Sequence, residues 1–429
     1  MSGFAANVAA ENQRIDIYGN VTTATTILDR ANKTVTASKL SPASTVAEQQ
    51  VTVNGLVTSM RSARNLTTTY SYNGLGMPVG VTDPRTGTTA IAYHDADGKK
   101  GLKASITDPV NNVVAFDYDA AGRLLWRRDA LNQYTRYAYN TRGQATAIWG
   151  DTQYPVTIGY DSYGQQTTLT TYRDTAADFA GTAFPTVTGD TTVWTYDAAS
   201  GLVTAKTDAA NHATTYTYTV NGNLATRTWA RGIVTAYTYS FNQLTGIDYS
   251  DTTPDITIAY NRLGQFATVT DAVGTRTFSY DANFALTTEV INGIYSKTIT
   301  RSYAATGLKG RYTGMNIGTE YNATYGYDDY GRLASIGNGT DTFNYSYLAN
   351  SNLPSAVTQG DLSANFSYES NRDLITAVEN KYGTTTVSKY EYTNNALGNR
   401  TVRAQSGSAF SASDRSEERR VGKECRSRW

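Results

Sequence analysis

The chain has 429 residues, of which 37 are Lys or Arg and 37 are Asp or Glu, so its formal net charge is zero. This balance provides no electrostatic basis for binding nucleic acid. No apolar run approaches the roughly 18 residues that a transmembrane helix requires. Tyrosine is unusually frequent, with 33 residues against 11 Phe and 5 Trp, and the mean hydropathy is -0.43. These values disfavour helical membrane spans and a thick apolar core.

The first 65 residues contain only poor copies of the pattern that dominates the rest of the chain. Residues 14–20, with Tyr18 and Gly19 near their end, form one such degenerate copy. We therefore predict degenerate N-terminal repeats over 1–65, a regular repeat array over 66–405 and a linker over 406–414.

In the array a tyrosine returns about every 21 residues, usually as Tyr-x-Tyr followed by Asp or Asn and then Gly. The second tyrosine of the pair lies at Tyr72, Tyr118, Tyr139, Tyr160, Tyr196, Tyr218, Tyr239, Tyr260, Tyr280, Tyr303, Tyr327, Tyr347, Tyr368 and Tyr392. Self-similarity at such a period indicates a repeat architecture, so function should follow from overall shape. The wide gap between Tyr160 and Tyr196 contains residues 175–190, with Phe184-Pro185, and predicts a loop insertion.

Each repeat carries two turn signals. The first is Asp-x-x-Gly or a close variant directly after the tyrosine, with its glycine at Gly122, Gly143, Gly164, Gly201, Gly222, Gly264 and Gly331. The second begins at an Asp eleven to fourteen residues after the tyrosine, at Asp83, Asp129, Asp151, Asp174, Asp208, Asp251 and Asp271. Gly adopts positive φ readily, and Asp and Asn bond to the backbone two residues on, so both positions favour tight turns.

The runs between these turns alternate Thr, Tyr, Val and Phe at period two, as in residues 214–218 and 265–270, and predict strands. Each repeat is then two antiparallel strands, and the array holds roughly thirty, whereas open sheets rarely exceed about ten without curling. A two-layered sandwich would need more Val, Ile and Leu. The predicted fold class is all-β: a repetitive antiparallel β-hairpin ribbon that winds into a spiral and forms part of a single-layer hollow shell.

The clearest copies of the motif are YDAAGRL (118–124), YDDYGRL (327–333), YDSYGQ (160–165), YNRLGQ (260–265) and NALGNRT (395–401). In register from about Tyr70 to Val402, they resemble the YD-repeat, or Rhs-repeat, proteins. This resemblance implies a β-ribbon that spirals into a hollow cocoon. In bacterial members the cocoon encloses a toxic polypeptide, as in insecticidal toxin complexes and effectors of interbacterial competition. Teneurins use a similar shell for cell-surface adhesion.

We assign a structural role to the residues that carry the repeat signature. They are Tyr118, Asp119, Gly122, Tyr139, Gly143, Tyr160, Asp161, Gly164, Tyr260, Gly264, Tyr327, Asp328 and Gly331. Because the Asp recurs in many repeats, turn capping explains it better than catalysis does, with calcium binding in stacked turns as the alternative. Arginines near the first turn either stack on tyrosines or are surface charges, and their position does not decide between the two: Arg123, Arg142, Arg262 and Arg332.

Groups suited to catalysis are scarce. The chain has two histidines, His94 and His212, which lie far apart and form no Cys/His ligand cluster. The sequence contains neither a Gly-x-Ser-x-Gly elbow nor a phosphate-binding loop. We predict no catalytic residues, no metal and no cofactor.

The chain also departs from the family. Bacterial shells usually close with a core segment that carries a proline-and-aspartate cleavage motif, and Asp83-Pro84 resembles it only superficially. The last fifteen residues, 415–429, break the repeat pattern and include the chain's one cysteine, Cys425. They resemble the translation of a DNA-sequencing adapter, so we exclude them from the fold. We expect a fragment of shell wall without the core segment and the toxin domain.

The leading functional hypothesis is a structural segment of an Rhs-type shell that encapsulates a C-terminal toxin or effector and helps deliver it in bacterial competition or pathogenesis. Its expected partners are that toxin domain and the secretion or delivery proteins, in a secreted or cell-envelope location. The alternative is an adhesion module that binds cell-surface glycans or proteins through its tyrosines. A self-cleaving enzyme is disfavoured, because the core motif is missing.

Overall fold

The computed structural model describes residues 7–42, 44–96, 98–173 and 178–410. Its strands are β1 (Asn7–Ile15), β2 (Val21–Asp29), β3 (Thr34–Leu40), β4 (Glu48–Val53), β5 (Leu56–Arg61), β6 (Thr67–Tyr72), β7 (Pro78–Asp83), β8 (Gly87–Tyr93), β9 (Lys103–Thr107), β10 (Val113–Tyr118), β11 (Leu124–Arg128), β12 (Tyr134–Tyr139), β13 (Ala145–Gly150), β14 (Val156–Tyr160), β15 (Gln166–Thr171), β16 (Asp190–Tyr196), β17 (Val203–Thr207) and β18 (Ala213–Tyr218). They continue with β19 (Leu224–Thr228), β20 (Val234–Ser240), β21 (Gln243–Tyr249), β22 (Ile256–Tyr260), β23 (Phe266–Asp271), β24 (Gly274–Tyr280), β25 (Leu286–Gly293), β26 (Lys297–Tyr303), β27 (Tyr312–Ile317), β28 (Tyr321–Tyr327), β29 (Leu333–Gly337), β30 (Thr342–Tyr347), β31 (Pro354–Gln359), β32 (Leu362–Tyr368), β33 (Ile375–Tyr382), β34 (Thr385–Asn394) and β35 (Arg400–Ser406).

A 3-10 turn, Ser408–Phe410, follows the last strand. Within the described ranges no helix is long and apolar enough to cross a membrane. The predicted turn at Asp174 and the excluded segment 415–429 lie outside the described residues. The division of the chain at residues 65, 405 and 414 stays a prediction.

The strands form one meander. Each strand pairs antiparallel with the strand before it and the strand after it, from the β1–β2 pair to the β34–β35 pair. Short hairpins connect them, because almost every junction holds a turn signal. The predicted all-β class and the hairpin ribbon are confirmed.

The sheet is a single layer. Among the described residues, five apolar side chains are buried: Ala147, Trp149, Tyr172, Ala323 and Ala377. The two faces differ, since in β18 Tyr216 and Tyr218 are half-buried whereas Thr215 and Thr217 are exposed. Tyrosine and threonine suit such a sheet, because their side chains combine apolar surface with a polar group that still meets water.

The predicted insertion lies between β15 and β16 and folds onto the sheet. The indole Nε1 of Trp149 donates a hydrogen bond to the carbonyl of Gly181, at 3.1 Å. The ring of Phe184 lies 5.6 Å from that of Trp149 and 5.1 Å from that of Tyr172, in both cases edge to face. The insertion therefore adds a local second layer, which explains why Trp149 and Tyr172 are among the few buried side chains.

The ribbon has two edges, which we name by their turns. The tyrosine edge consists of the turns that follow even-numbered strands, such as residues 119–123. The aspartate edge consists of the turns that follow odd-numbered strands, such as residues 129–133. All hairpins alternate between these edges, because the chain is a meander.

The ribbon winds into a spiral in which the turns of one revolution contact the turns of the next. The β1–β2 turn on the aspartate edge bonds the β26–β27 turn on the tyrosine edge, through Asn20 and Lys309. The β7–β8 turn bonds the β32–β33 turn in the same way, through Thr86 and Asn371. Both contacts join elements 25 strands apart. At about 4.8 Å per strand, one revolution has a circumference of about 120 Å and a diameter of about 40 Å. The predicted spiral is confirmed. Adjacent strands of a sheet are rotated relative to one another because each strand has a right-handed twist, and this rotation accumulates along the ribbon.

Candidate functional site

The first turn of the repeat is held by its aspartate. In the turn after β10, Oδ1 of Asp119 accepts hydrogen bonds from the backbone N–H groups of Ala121 and Arg123, both at 2.9 Å. The Asp119 N–H donates to the Arg123 carbonyl at 2.9 Å, and the Gly122 N–H donates to the Asp119 carbonyl at 3.0 Å. Gly122 has a φ of 77°. An L-residue is disfavoured there, so the Asp and the Gly together define this turn.

The other predicted signature positions adopt the same geometry. The side-chain oxygen that accepts the two backbone bonds belongs to Asp161, Asp328, Asn140 or Asn261. The glycines have φ of 83° at Gly143, 89° at Gly164, 77° at Gly264 and 75° at Gly331. Asp and Asn are therefore interchangeable as turn acceptors in this fold.

The second tyrosine of most repeats forms a hydrogen-bonded ladder along the tyrosine edge. The hydroxyl of Tyr139, at the end of β12, donates to the carbonyl of Leu124, at the start of β11, at 2.9 Å. A strand register shift falls directly before Tyr139. The same bond to the start of the preceding strand is made by Tyr72, Tyr93, Tyr160, Tyr196, Tyr218, Tyr239, Tyr260, Tyr280, Tyr303, Tyr327, Tyr347 and Tyr368.

Tyr118 departs from this ladder. Its ring lies edge-on to His94, with 5.9 Å between the ring centroids. The Nε2 atom of His94 is 3.1 Å from the carbonyl oxygen of Phe116. His94 therefore packs into the ladder and is part of the wall, a role that its place near a turn signal does not reveal.

The side chain of the residue after the turn glycine links successive turns, because it donates a hydrogen bond to a backbone carbonyl of the next turn. The Arg123 guanidinium bonds its own Asp119 at 2.7 Å, donates to the Asn140 carbonyl of the next turn at 2.9 Å, and lies 4.9 Å from the centre of the Tyr139 ring. Gln144 does the same to the Gly164 carbonyl at 2.9 Å. Arg332 stacks on Tyr347 at 4.1 Å and bonds the Ser351 carbonyl at 3.1 Å.

The four arginines thus separate into two groups. Arg123 and Arg332 follow the glycine and stack on tyrosines, whereas Arg142 and Arg262 precede it and are exposed. The distinguishing signal was available in the sequence, since Arg123 and Gln144 hold the same position relative to Gly122 and Gly143.

The second turn is built on the same principle. Oδ1 of Asp129 accepts from the N–H groups of Leu131 and Gln133, both at 2.9 Å, and Asn132 occupies the left-handed conformation with a φ of 63°. Asp208 and Asp83 cap their turns similarly. Asp151 differs, because it accepts from the N–H of Tyr134 in a neighbouring strand.

The seam between revolutions joins the two kinds of turn. The amide of Asn20 donates to the Lys309 carbonyl at 2.9 Å and accepts from the Lys309 N–H at 3.0 Å. Tyr18 packs so closely on the same turn that a Cβ on Gly310 would lie 2.6 Å from its ring. The guanidinium of Arg85 donates to the Glu369 carbonyl at 2.7 Å and pairs with the carboxylate of Asp373. The seam therefore depends on a few side chains that break the repeat pattern.

The chemistry of these surfaces is hydrogen bonding. In the part of the chain that the structure describes, no group of three or more His, Cys, Asp or Glu side chains could hold a metal ion. The exposed His212 is 3.3 Å from Asp208. The signature residues are brought into two continuous edges and do not converge on one point.

The chain belongs to the Teneurin YD-shell family, which matches residues 151–412, more than half of its length. The model of a second family, the RHS Repeat, matches residues 53–88. No curated protein is similar enough in sequence to match. The chain is thus a structural segment of an RHS/YD shell, and this family and fold are structural rather than catalytic.

Two solved structures share the fold. The crystal structure of TcdB2-TccC3-TEV has a TM-score of 0.64 and 12% sequence identity, and the match covers 94% of this chain and 23% of that chain. The structure of a Photorhabdus luminescens Tc holotoxin pore has a TM-score of 0.56 and 13% identity, covering 94% of this chain and 26% of that one. The chain therefore spans about a quarter of the length of the proteins that it matches.

Replacing Tyr139 by Phe should remove one rung of the ladder. The ring is retained, but the Leu124 carbonyl loses its donor, so we expect destabilisation by about 1 kcal/mol in urea unfolding. Burial raises the pKa of the Tyr139 phenol, so the hydroxyl stays protonated as a donor. Tyr163→Phe is the matched control, because Tyr163 is 83% exposed at a turn tip and should give no change. Equal effects of the two substitutions would contradict a structural ladder.

The aspartate turns should make the fold sensitive to acid. The hydrogen bond from Arg123 is the main cause that lowers the pKa of Asp119 below its ordinary 3.8. Burial tends to raise the pKa of Asp328, but the hydrogen bonds from Arg332 outweigh it and the net direction is down. A carboxylate with a lowered pKa contributes stability that is present above the unfolded-state value and is lost as the pH falls towards the folded-state value.

We therefore expect Asp119→Asn with Asp328→Asn to reduce the loss of thermal stability below about pH 4. Asn keeps the turn, as Asn140 and Asn261 do, and removes the titration. At neutral pH the variant should be slightly less stable than the parent, because the two ion pairs with Arg are lost. Melting curves across the pH range test this, and an unchanged acid profile would exclude these turns as its source.

Proposed function

We propose that this chain forms part of the wall of a shell that encapsulates a C-terminal toxin or effector polypeptide and helps deliver it in bacterial competition or pathogenesis. The observation that supports the proposal best is the seam, which closes the ribbon after 25 strands. A revolution about 40 Å across, less the thickness of one sheet at about 10 Å, leaves a lumen about 30 Å wide. A folded 100-residue domain, with a radius of gyration of about 13 Å and so a diameter of about 34 Å, is slightly too wide for that space. The lumen therefore suits a smaller domain or a confined polypeptide.

The family of the chain and the structures that share its fold also support a shell that takes part in toxin delivery. One of the structures with this fold is a Tc holotoxin pore, and the chain belongs to a shell family. A shell of this kind would act outside the producing cell, so a secreted or cell-envelope location, with delivery proteins as partners, is part of the proposal. We also propose that the signature tyrosines, aspartates and glycines serve this wall structurally, through the ladder and the turns described above.

The alternative function is adhesion through cell-surface glycans or proteins. It has weaker support, because the ladder tyrosines direct their hydroxyl groups to main-chain carbonyls and are half-buried. Tyr163 is the most exposed tyrosine of the described residues, at 83%, and would be the first candidate for such a contact. Glycan-array binding that Tyr163→Ala abolishes would favour adhesion.

Encapsulation is tested with a protease and an unfolded test polypeptide fused to the C-terminus of the full chain. Opening the seam with Arg85→Ala should raise the rate at which the test polypeptide is cleaved by about tenfold, because proteolysis follows the accessible population. Arg142→Ala is the control, since Arg142 is exposed and makes no seam contact. Circular dichroism verifies that both variants keep their strands. Equal cleavage in the parent and in Arg85→Ala would contradict enclosure.

A further inference from the structure

The tyrosine edge carries a row of exposed apolar side chains directly before the seam. Val220, Phe241, Leu263 and Phe284 lie at the tips of four consecutive turns, between β18 and β25, and we call them the apolar stripe. They are 106%, 100%, 63% and 53% exposed, respectively. Six strand spacings separate the first turn from the last, a length of about 29 Å. Contiguous exposed apolar surface of this kind is typical of interaction sites.

The turns themselves do not explain these side chains. Phe241 and Phe284 adopt positive φ, at 48° and 66°. Phe284 even holds the position of the repeat glycine, because its N–H donates to the Asp281 carbonyl at 3.0 Å just as that of Gly122 does to Asp119. A bulky L-residue is strained in this conformation, and glycine would not be. The two phenyl rings are therefore retained against the preference of the turn, which points to a contact outside it.

The stripe continues an interface that the structure already contains. The next turn on the same edge, between β26 and β27, is covered by the aspartate edge of the first revolution, through Tyr18 and Asn20. At this seam Asn20 is buried, with only 6% of its surface exposed. On the tyrosine edge, the β26–β27 turn is thus covered by the first revolution, whereas the preceding β24–β25 turn is uncovered and exposes an apolar side chain.

We propose that the apolar stripe is an interface and that, in the purified chain, its occupant is the aspartate edge of a second copy. The seam demonstrates that the two edges fit one another. The chain also offers an uncovered aspartate edge beyond β10, where Leu131 and Trp229 are 43% and 39% exposed. Contact between unlike edges is heterologous, so copies join head to tail along the spiral axis. This association does not require an enclosed polypeptide.

The test is sedimentation velocity of the full chain over a wide range of concentrations. The parent should associate reversibly. Phe241→Gly with Phe284→Gly should raise the dissociation constant by about tenfold or more. The melting temperature should stay unchanged or rise by a few degrees, since glycine suits the positive φ. Leu263→Ser should weaken association, and Leu75→Ser is its control, because Leu75 is 72% exposed on the same edge but far from the stripe.

Three results would overturn the proposal. One is a parent chain that stays monomeric at every concentration. Another is association that the glycine substitutions leave unchanged, as pairing through the open edge strands β1 and β35 would give. The third is an equal effect of Leu75→Ser and Leu263→Ser, which would indicate nonspecific apolar aggregation.

Discussion

The constraint on which this fold depends is that a single-layer sheet has almost no apolar core, so its hydrogen bonds must hold the strands in register. A sheet ladder alone permits slippage where neither face is deeply buried. The tyrosine hydroxyl fixes each hairpin to the start of the preceding strand, as Tyr139 does to Leu124. The aspartate or asparagine of the turn then fixes the reversal, as Asp119 does. Register is thereby set locally in each repeat, and a long ribbon can be built without a core.

Uniform repeats also determine the global shape. Because each hairpin adds a similar rotation, two contacts as different as Asn20–Lys309 and Thr86–Asn371 occur at the same offset of 25 strands. The contacts themselves are made by residues outside the repeat consensus, such as Arg85 and Asn371. The repeats therefore bring the edges together, while individual side chains decide where they bond. This division of roles explains how one repeat can build walls whose seams and exposed stripes differ.

Much of the local structure could be predicted from sequence. Tyr-x-Tyr and Asp-x-x-Gly carry a mechanism in their own residues, so the strands, the turns and the single-layer class followed from Tyr118, Asp119 and Gly122. The loop insertion was also visible, although its packing on Trp149 was not, since nothing local couples Trp149 to Phe184. The seam could not be predicted, because its offset depends on small rotations summed over many strands. The position of Arg123 after Gly122 marks it in the sequence, but its bond to the next turn could not be predicted, because the acceptor is the backbone carbonyl of Asn140.

The measurement that tests the spiral most directly is the distance across the seam in solution. Spin labels at Pro84→Cys and Ser370→Cys, in a chain with Cys425→Ser, would lie on the β7–β8 and β32–β33 turns. These turns bond through Thr86 and Asn371. Double electron–electron resonance should therefore give one narrow distribution of the distance between the two spin labels, at about 20 Å or less. An uncoiled ribbon would separate the same labels by roughly 120 Å. A broad distribution without the short distance would contradict a closed revolution and the shell built on it.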